Sequence, residues 1–178
     1  MADRPTLSTP RLTLRPFRPD DAPDVRRLAG DPAVAAKTLN IPHPYDEGVA
    51  ETWIAGHQEA YDAGRLVSLA VTRTEDGALL GAVSLELTPE HVRGELGYWI
   101  GRAHWGRGYA TEAAEALMRF GFEMLRLVRV TAHIMSSNPA SGRVLLKIGM
   151  AREGRLPRHV RKNGVFEDVE LFGRLRDA

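Results

Sequence analysis

GELGYWIGRAHWGRGYATEAA, residues 94–114, runs a strand into a glycine-bearing loop and the loop straight into a helix. Gly94 to Gly101 has strand character. From Tyr109 to Met124, Ala110, Ala113, Ala114, Leu117, Met118, Gly121 and Leu125 recur at helical spacing, with Glu112, Glu115, Arg119 and Glu123 on the opposite, wet stripe. Between the two elements, Gly106 and Gly108 remove side chains where a ligand can approach the backbone. Residues 106–111 would present unpaired amides at a helix N-terminus, where a phosphate gains hydrogen bonds and up to ~2 kcal/mol from the helix dipole. The same glycines also suit a tight turn with no ligand, so alone they decide little. A P-loop would need Gly-Lys-Ser/Thr after four residues, and none is present. A dinucleotide fingerprint would need a third glycine where Thr111 stands, and an acidic residue after the strand near Val128 to Met135.

Upstream, Arg11 to Phe17 alternates, with Leu12, Leu14 and Pro16 on one face and Arg11, Thr13 and Arg15 on the other, which predicts a strand. Asp20 or Asp21 can cap a helix that has Pro23 in its first turn and ends near Gly30. Lys37 to Tyr45 reads as a loop and Asp46 to Ala63 as a helix closed by Gly64. Val67–Thr72 and Leu79–Leu87 flank the turn signal Glu75-Asp76-Gly77. Downstream, Val128 to Met135 alternates. Pro139 to Ile148 reads as a short helix capped by Asn138, with Gly149 after its end, and the remainder, including Val165–Leu175, suggests one or two closing strands. The order β-α-α-β-β-β-α-β-α-β-β predicts an α+β fold, an α/β sandwich around a mostly antiparallel sheet.

Bulk properties set the outer bounds. The 178 residues suit a single domain, residues 1–178, with a real core. Lys+Arg 24 against Asp+Glu 23 gives a net charge of +1, which offers no bulk attraction to nucleic acid or to a membrane. With no cysteine, disulfides, thiolate metal sites and cysteine nucleophiles are out. No His/Asp/Glu cluster has metal-ligand spacing, so no metal is expected. The N-terminus, Met1-Ala2-Asp3-Arg4-Pro5, does not read as a signal peptide, and no run reaches the ~20 apolar residues of a membrane span. A cytoplasmic location is the expectation.

With these elements in place, residues 94–114 closely resemble the GCN5-related N-acetyltransferase (GNAT) superfamily, most of all the branch holding the ribosomal-protein N-acetyltransferases RimJ and RimL. The superfamily signature is Gln/Arg-x-x-Gly-x-Gly/Ala. Gly108-Tyr109-Ala110 matches its second half, while Trp105 departs from its first position in a way typical of the branch. Three further segments resemble the branch in the right order. They are Thr9 to Arg15 (TPRLTLR), Asn138 to Met150 (NPASGRVLLKIGM), and Asn163-Gly164 followed by Asp168.

The resemblance implies a mixed, mostly antiparallel sheet of six to seven strands, splayed at a central bulge and flanked by about four helices. It implies acetyl-CoA as cosubstrate, with the pantetheine paired to the backbone of Tyr98, Trp99, Ile100 and Gly101. The amides of Gly106, Arg107, Gly108, Tyr109, Ala110 and Thr111 would hold the pyrophosphate. The Arg107 side chain either adds charge there or is a solvated loop arginine. Asn138 caps its helix and, on the resemblance, also contacts CoA. Dimerisation is a further expectation from resemblance alone.

Acyl transfer from a thioester to an amine needs a neutral amine, an oxyanion stabiliser and a proton for the departing thiolate. A lysine-like amine costs roughly 4 kcal/mol to deprotonate at pH 7, whereas an α-amine costs about 1.4 kcal/mol or less. Many relatives use a tyrosine seven residues after the motif asparagine as general acid. That position is Leu145, leaving Ser141 as the nearest hydroxyl by motif, either a thiolate partner or a plain first-turn serine. Glu95 is the first candidate base, with Glu86 and water behind it. His43, in Pro42-His43-Pro44-Tyr45, is a candidate for the acceptor pocket. Asp168 either faces the acceptor or pairs with an arginine. The expected activity is transfer of acetyl to a primary amine in a ternary complex. The acceptor would be a protein N-terminal α-amine, such as that of a ribosomal protein, or a small amine, amino acid or antibiotic. The alternative is a non-catalytic acyl-CoA-binding or sensing module of the same fold, supported only by the missing tyrosine.

Overall fold

The structure, a computed structural model, describes residues 3–177; the N-terminal reading, which begins at Met1 and Ala2, lies partly outside them. Two short strands open the chain, β1 (Leu7–Ser8) and β2 (Leu12–Arg15). Helices α1 (Ala22–Ala29), α2 (Pro32–Ala35) and α3 (Val49–Asp62) follow. Then come β3 (Leu66–Arg73), β4 (Leu79–Thr88), β5 (Arg93–Ile100), α4 (Tyr109–Glu123), β6 (Arg129–Met135) and α5 (Pro139–Lys147). A hairpin of β7 (Ala151–Lys162) and β8 (Val165–Leu175) ends it.

The strands form one sheet in the order β1-β2-β3-β4-β5-β6-β8-β7, antiparallel except at β5–β6. That is eight strands where six or seven are expected. The extra strand is the two-residue β1, too short to show an alternation, while β7 and β8 are the two closing strands of the expected order. Five helices replace about four, because the single turn α2 is too short to show a period; the Asp31 side chain caps it by accepting from the Ala33 amide. At α1 the expected cap fails. Asp21 instead spends its carboxylate on the Arg15 guanidinium, at 2.7 and 2.8 Å, and on the Arg18 amide at 2.8 Å.

Helices cover both faces. Leu12, Leu14, Leu69 and Leu85 pack beneath α4, whose Ala113, Ala114 and Leu117 are fully buried. Each such aliphatic side chain contributes roughly 1.5–3 kcal/mol by leaving water. On the opposite face, Phe17, Val25 and Leu28 join Ile54 of α3 over Ala70 and Ala82.

The sheet parts at one place. β5 pairs with β6 only from Arg93↔Arg129 to Glu95↔Thr131. Beyond Glu95 the two strands diverge, so Leu96 to Ile100 have β4 on one edge and no strand on the other. The splay occurs without the expected bulge. β4 and β5 stay in step over eight consecutive pairs, from Gly81↔Ile100 to Thr88↔Arg93, and the register shifts lie in β3–β4 and β7–β8.

Candidate active site

The splay opens a cleft of about 790 Å³. One wall is β5 and the loop after it. Gly106 and Gly108 have φ of 73° and 80°, a region where an L side chain is strained, and they turn the chain into α4. Among the described residues the amides of Gly106 to Thr111 donate to no other backbone group, the last three being the orphan donors of a helix N-terminus. Trp105 fixes this loop to the strand end, its indole N–H donating to the Ile100 carbonyl at 2.6 Å.

Arg11 holds the loop from outside. Its guanidinium donates to the Arg107 carbonyl at 2.9 Å, lies 4.8 Å from the centre of the Tyr109 ring and pairs with Glu112 at 2.7 Å. Thr9 also donates to Glu112, at 2.6 Å. Glu112, expected on the wet stripe, is therefore a tether. Burial alone would raise its pKa, but the hydrogen bonds from Thr9 and Arg11 outweigh that and hold it below the usual carboxylate value.

The facing wall is the start of α5. Asn138 caps it, Oδ1 accepting from the Ser141 amide at 3.3 Å, and its Nδ2 donates to the Lys37 carbonyl at 3.1 Å. Leu145 is fully buried in the core. The second hydroxyl belongs to Tyr98, which the resemblance marks only as a backbone partner. It lies 2.7 Å from Ser141 Oγ and donates to the Ser141 carbonyl at 3.1 Å. Burial pushes Tyr98 up to about 12, against a smaller downward pull from Ser141, so the phenol keeps its proton at neutral pH. A long-range contact between an aromatic strand residue and a helix serine leaves no motif to find.

Across the sheet from Tyr98, Glu86 and Glu95 are direct cross-strand partners and share one face of the cleft. Glu95 Oε1 lies 3.1 Å from Nδ1 of His133, a β6 residue that the sequence did not single out. Residues 37–41 close over this side. Lys37 donates to the Ser137 carbonyl at 2.8 Å, and Lys162 of β7 donates to the carbonyls of Leu39 and Ile41 at 3.2 and 2.7 Å.

The cleft thus gathers Glu86, Glu95, Tyr98, Trp99 and Ile100 with Gly106, Gly108 and Tyr109 to Thr111, and faces them with Asn138 and Ser141. Four expected residues stand apart. Gly101 is packed against Leu28, its amide bound to the Leu80 carbonyl. Arg107 is exposed outside the lining. His43 lies in a separate shallow depression with Arg26 and Asp31. Asp168 takes the second of its two readings: the Arg158 amide and the Arg155 guanidinium occupy its carboxylate and hold its pKa down. Among the described residues no group of three His, Asp or Glu could hold a metal, and no helix is long and apolar enough to cross a membrane.

Comparison with known proteins agrees with this geometry. The family model of the Acetyltransferase (GNAT) domain matches residues 11–151. The uncharacterized N-acetyltransferase p20 of Bacillus licheniformis is 31% identical over 172 residues, covering 96% of each chain. The ribosomal-protein-serine acetyltransferase of Escherichia coli is 30% identical over 105 residues, 58% of this chain and 59% of that one. RimL, the ribosomal L7/L12 α-N-protein acetyltransferase solved with coenzyme A, superposes with a TM-score of 0.89 over 97% of this chain and 99% of its own; at 19% identity that is a likeness of fold. The sheet that parts between β5 and β6 and the match across most of the sequence lead to one conclusion: the chain belongs to the GNAT family of N-acetyltransferases, enzymes that take their acetyl group from acetyl-CoA.

Proposed function

We propose that this enzyme moves the acetyl group of acetyl-CoA directly onto a primary amine bound in the same cleft. The observation that carries this reading is the partnerless edge of β5, which leads into a loop of unspent amides and faces a pair of hydroxyls. The residues present fit the donor. The amides of Gly106 to Thr111 hold its pyrophosphate and Asn138 its pantetheine arm. Tyr98 and Trp99 offer strand-like backbone pairing, but the Ile100 carbonyl and the Gly101 amide already have partners in Trp105 and Leu80. Bound there, acetyl-CoA supplies the activated acyl group.

The chain's own side chains manage the protons. Ser141 gives its proton to the departing thiolate, and the protonated Tyr98 phenol, 2.7 Å from Ser141 Oγ, then turns its hydrogen from the Ser141 carbonyl to that oxygen. Glu95 takes the proton lost by the amine, and Glu86 beside it favours an ammonium at the entrance. Donor and amine meet in the one cleft, and transfer between them is direct. The acceptor is an α-amine at a protein N-terminus, such as that of a ribosomal protein, or a small amine. The α-amine asks less of the base, and the Escherichia coli relative is named for a ribosomal protein.

Thiol release from acetyl-CoA, measured against N-terminal peptides, amino acids and small amines, tests this. Amine-dependent release with intersecting initial-rate lines is expected. Tight CoA binding with no release on any acceptor overturns the reading, and parallel lines overturn direct transfer.

A further inference from the structure

We infer that His133, oriented by Glu95, is the group that receives the amine's proton. The inference rests on the proposed acetyl transfer and changes its base from a lone carboxylate to a Glu95–His133 pair. Glu95 and Thr131 form the last rung before the sheet parts, and His133 is the next β6 residue on that face. The two side chains span the opening, Glu95 Oε1 to His133 Nδ1 at 3.1 Å, and both line the cleft. The two meet at ion-pair distance, and in the tautomer protonated on Nδ1 the neutral ring carries its lone pair on Nε2, which no other side chain engages among the described residues. Each side chain is 44% exposed, so substrate can reach both.

The chemistry favours the ring over the carboxylate. A neutral imidazole can accept the amine's proton on one ring nitrogen while the other stays against Glu95, which then faces the imidazolium that forms. In the step itself, the amine nitrogen forms a bond to the thioester carbonyl carbon and passes one proton to His133 Nε2. The carbon–sulfur bond breaks, and the thiolate takes the Ser141 proton. Solvent then removes the proton from His133 and restores that of Ser141.

The charged groups facing His133 are few. Glu86 stands opposite Glu95 on β4, and Arg93 precedes Glu95 on the same face of β5. Arg129, two residues before Thr131, is paired with Glu153 of β7. From β8 the facing residues are Leu171 and Gly173, which are uncharged. Lys37, His104, Arg143, Lys147 and His159 also line the cleft.

The test is the pH profile of kcat/KM on a weakly basic amine that stays neutral across the scan, so that the acceptor itself does not titrate. Wild-type turnover on that amine comes first; its absence overturns the proposed function and this inference with it. His133→Gln is expected to lose about 100-fold and the acid limb of the profile, with CoA affinity unchanged. Glu95→Gln is expected to lose about 10-fold and keep an acid limb, because the imidazole remains and only the carboxylate beside it is gone. The double variant should be no worse than His133→Gln alone. If His133→Gln keeps the acid limb while Glu95→Gln abolishes it, Glu95 acts alone and the inference fails while the acetyltransferase reading stands. A fall in CoA affinity equal to the fall in rate for His133→Gln assigns His133 to bracing the splay and also overturns it.

Discussion

On the loop side of the cleft the working groups are backbone: the free edge of β5 and the amides of Gly106 to Thr111, positioned by two left-handed glycines. On the opposite side, where residues 37–41 strap the opening, they are side chains brought together from distant parts of the chain. Lys162 reaches Leu39 and Ile41, Asn138 reaches Lys37, and His133 reaches Glu95. A backbone site tolerates much sequence change but needs its turns. A side-chain site can be rebuilt one residue at a time. One fold can therefore keep a fixed acetyl donor while its acceptor varies.

The most damaging way to break the loop side is Gly108→Glu. The φ of 80° strains any L side chain, the added Cβ would come 3.3 Å from the Arg11 guanidinium, and the carboxylate would enter the proposed phosphate site. CoA binding measured by calorimetry should vanish while the protein remains folded. Unchanged affinity would remove the loop from the site.

The strap side should yield first to acid. His57 of α3 is 3% exposed, wedged between Phe17 and Trp53, with both ring nitrogens buried and without a hydrogen-bond partner among the described residues. Burial, helped by the Arg4 charge, pushes it down to about 4. The unfolded chain binds this proton near pH 6.5 and the folded one only near 4, so the unfolded state holds more protons in between. The contribution is present in full above about pH 6.5 and is lost as pH falls through about 4, a difference of about 3 kcal/mol. His57→Phe should flatten the dependence of urea-unfolding stability on pH between 6.5 and 4 and change stability little at pH 7. An unchanged slope would place the acid lability elsewhere.

These two regions also differ in how far the sequence discloses them. The helix Tyr109–Glu123 and the glycine loop before it are local patterns, a 3.6-residue stripe and a pair of glycines, and the structure has both where the pattern puts them. Asn138 as a cap is equally local. The bounds of β7 were not legible. Its arginines serve an edge strand, where charge discourages pairing with a neighbouring chain, and two register slips break its alternation. Glu112 read as solvent-facing because its partners, Thr9 and Arg11, are about a hundred residues away. Tyr98 and His133 escaped for the same reason: each meets its partner only after the sheet has formed and parted. The candidate base Glu95 could be named from the resemblance, but the imidazole beside it could not.

Between the two sides sits the hydroxyl pair, and Ser141→Ala measures its share. Turnover should fall about 100-fold with CoA affinity nearly unchanged, the signature of an interaction made in the transition state. Tyr98→Phe should fall about 10-fold, because Ser141 keeps its own proton and loses only its donor. Equal losses in both variants would make Tyr98 a direct donor; full activity in Ser141→Ala would return that serine to helix packing.

The smallest expected effect separates the two sides most cleanly. Lys162 is partly buried at the hairpin, where burial lowers its pKa, and its ammonium spans two strap carbonyls without touching the loop of amides. Lys162→Met keeps the apolar stem and removes both hydrogen bonds, which as charge-assisted bonds to a partly exposed strap are each worth about 1 kcal/mol or less net. The strap then samples open positions more often, and only the ligand that it covers should notice. The KM for the amine should rise about threefold, with KM for acetyl-CoA and kcat unchanged. A matching rise in KM for acetyl-CoA would mean that the strap closes over both ligands, and that donor and acceptor are not divided between the two sides of the cleft.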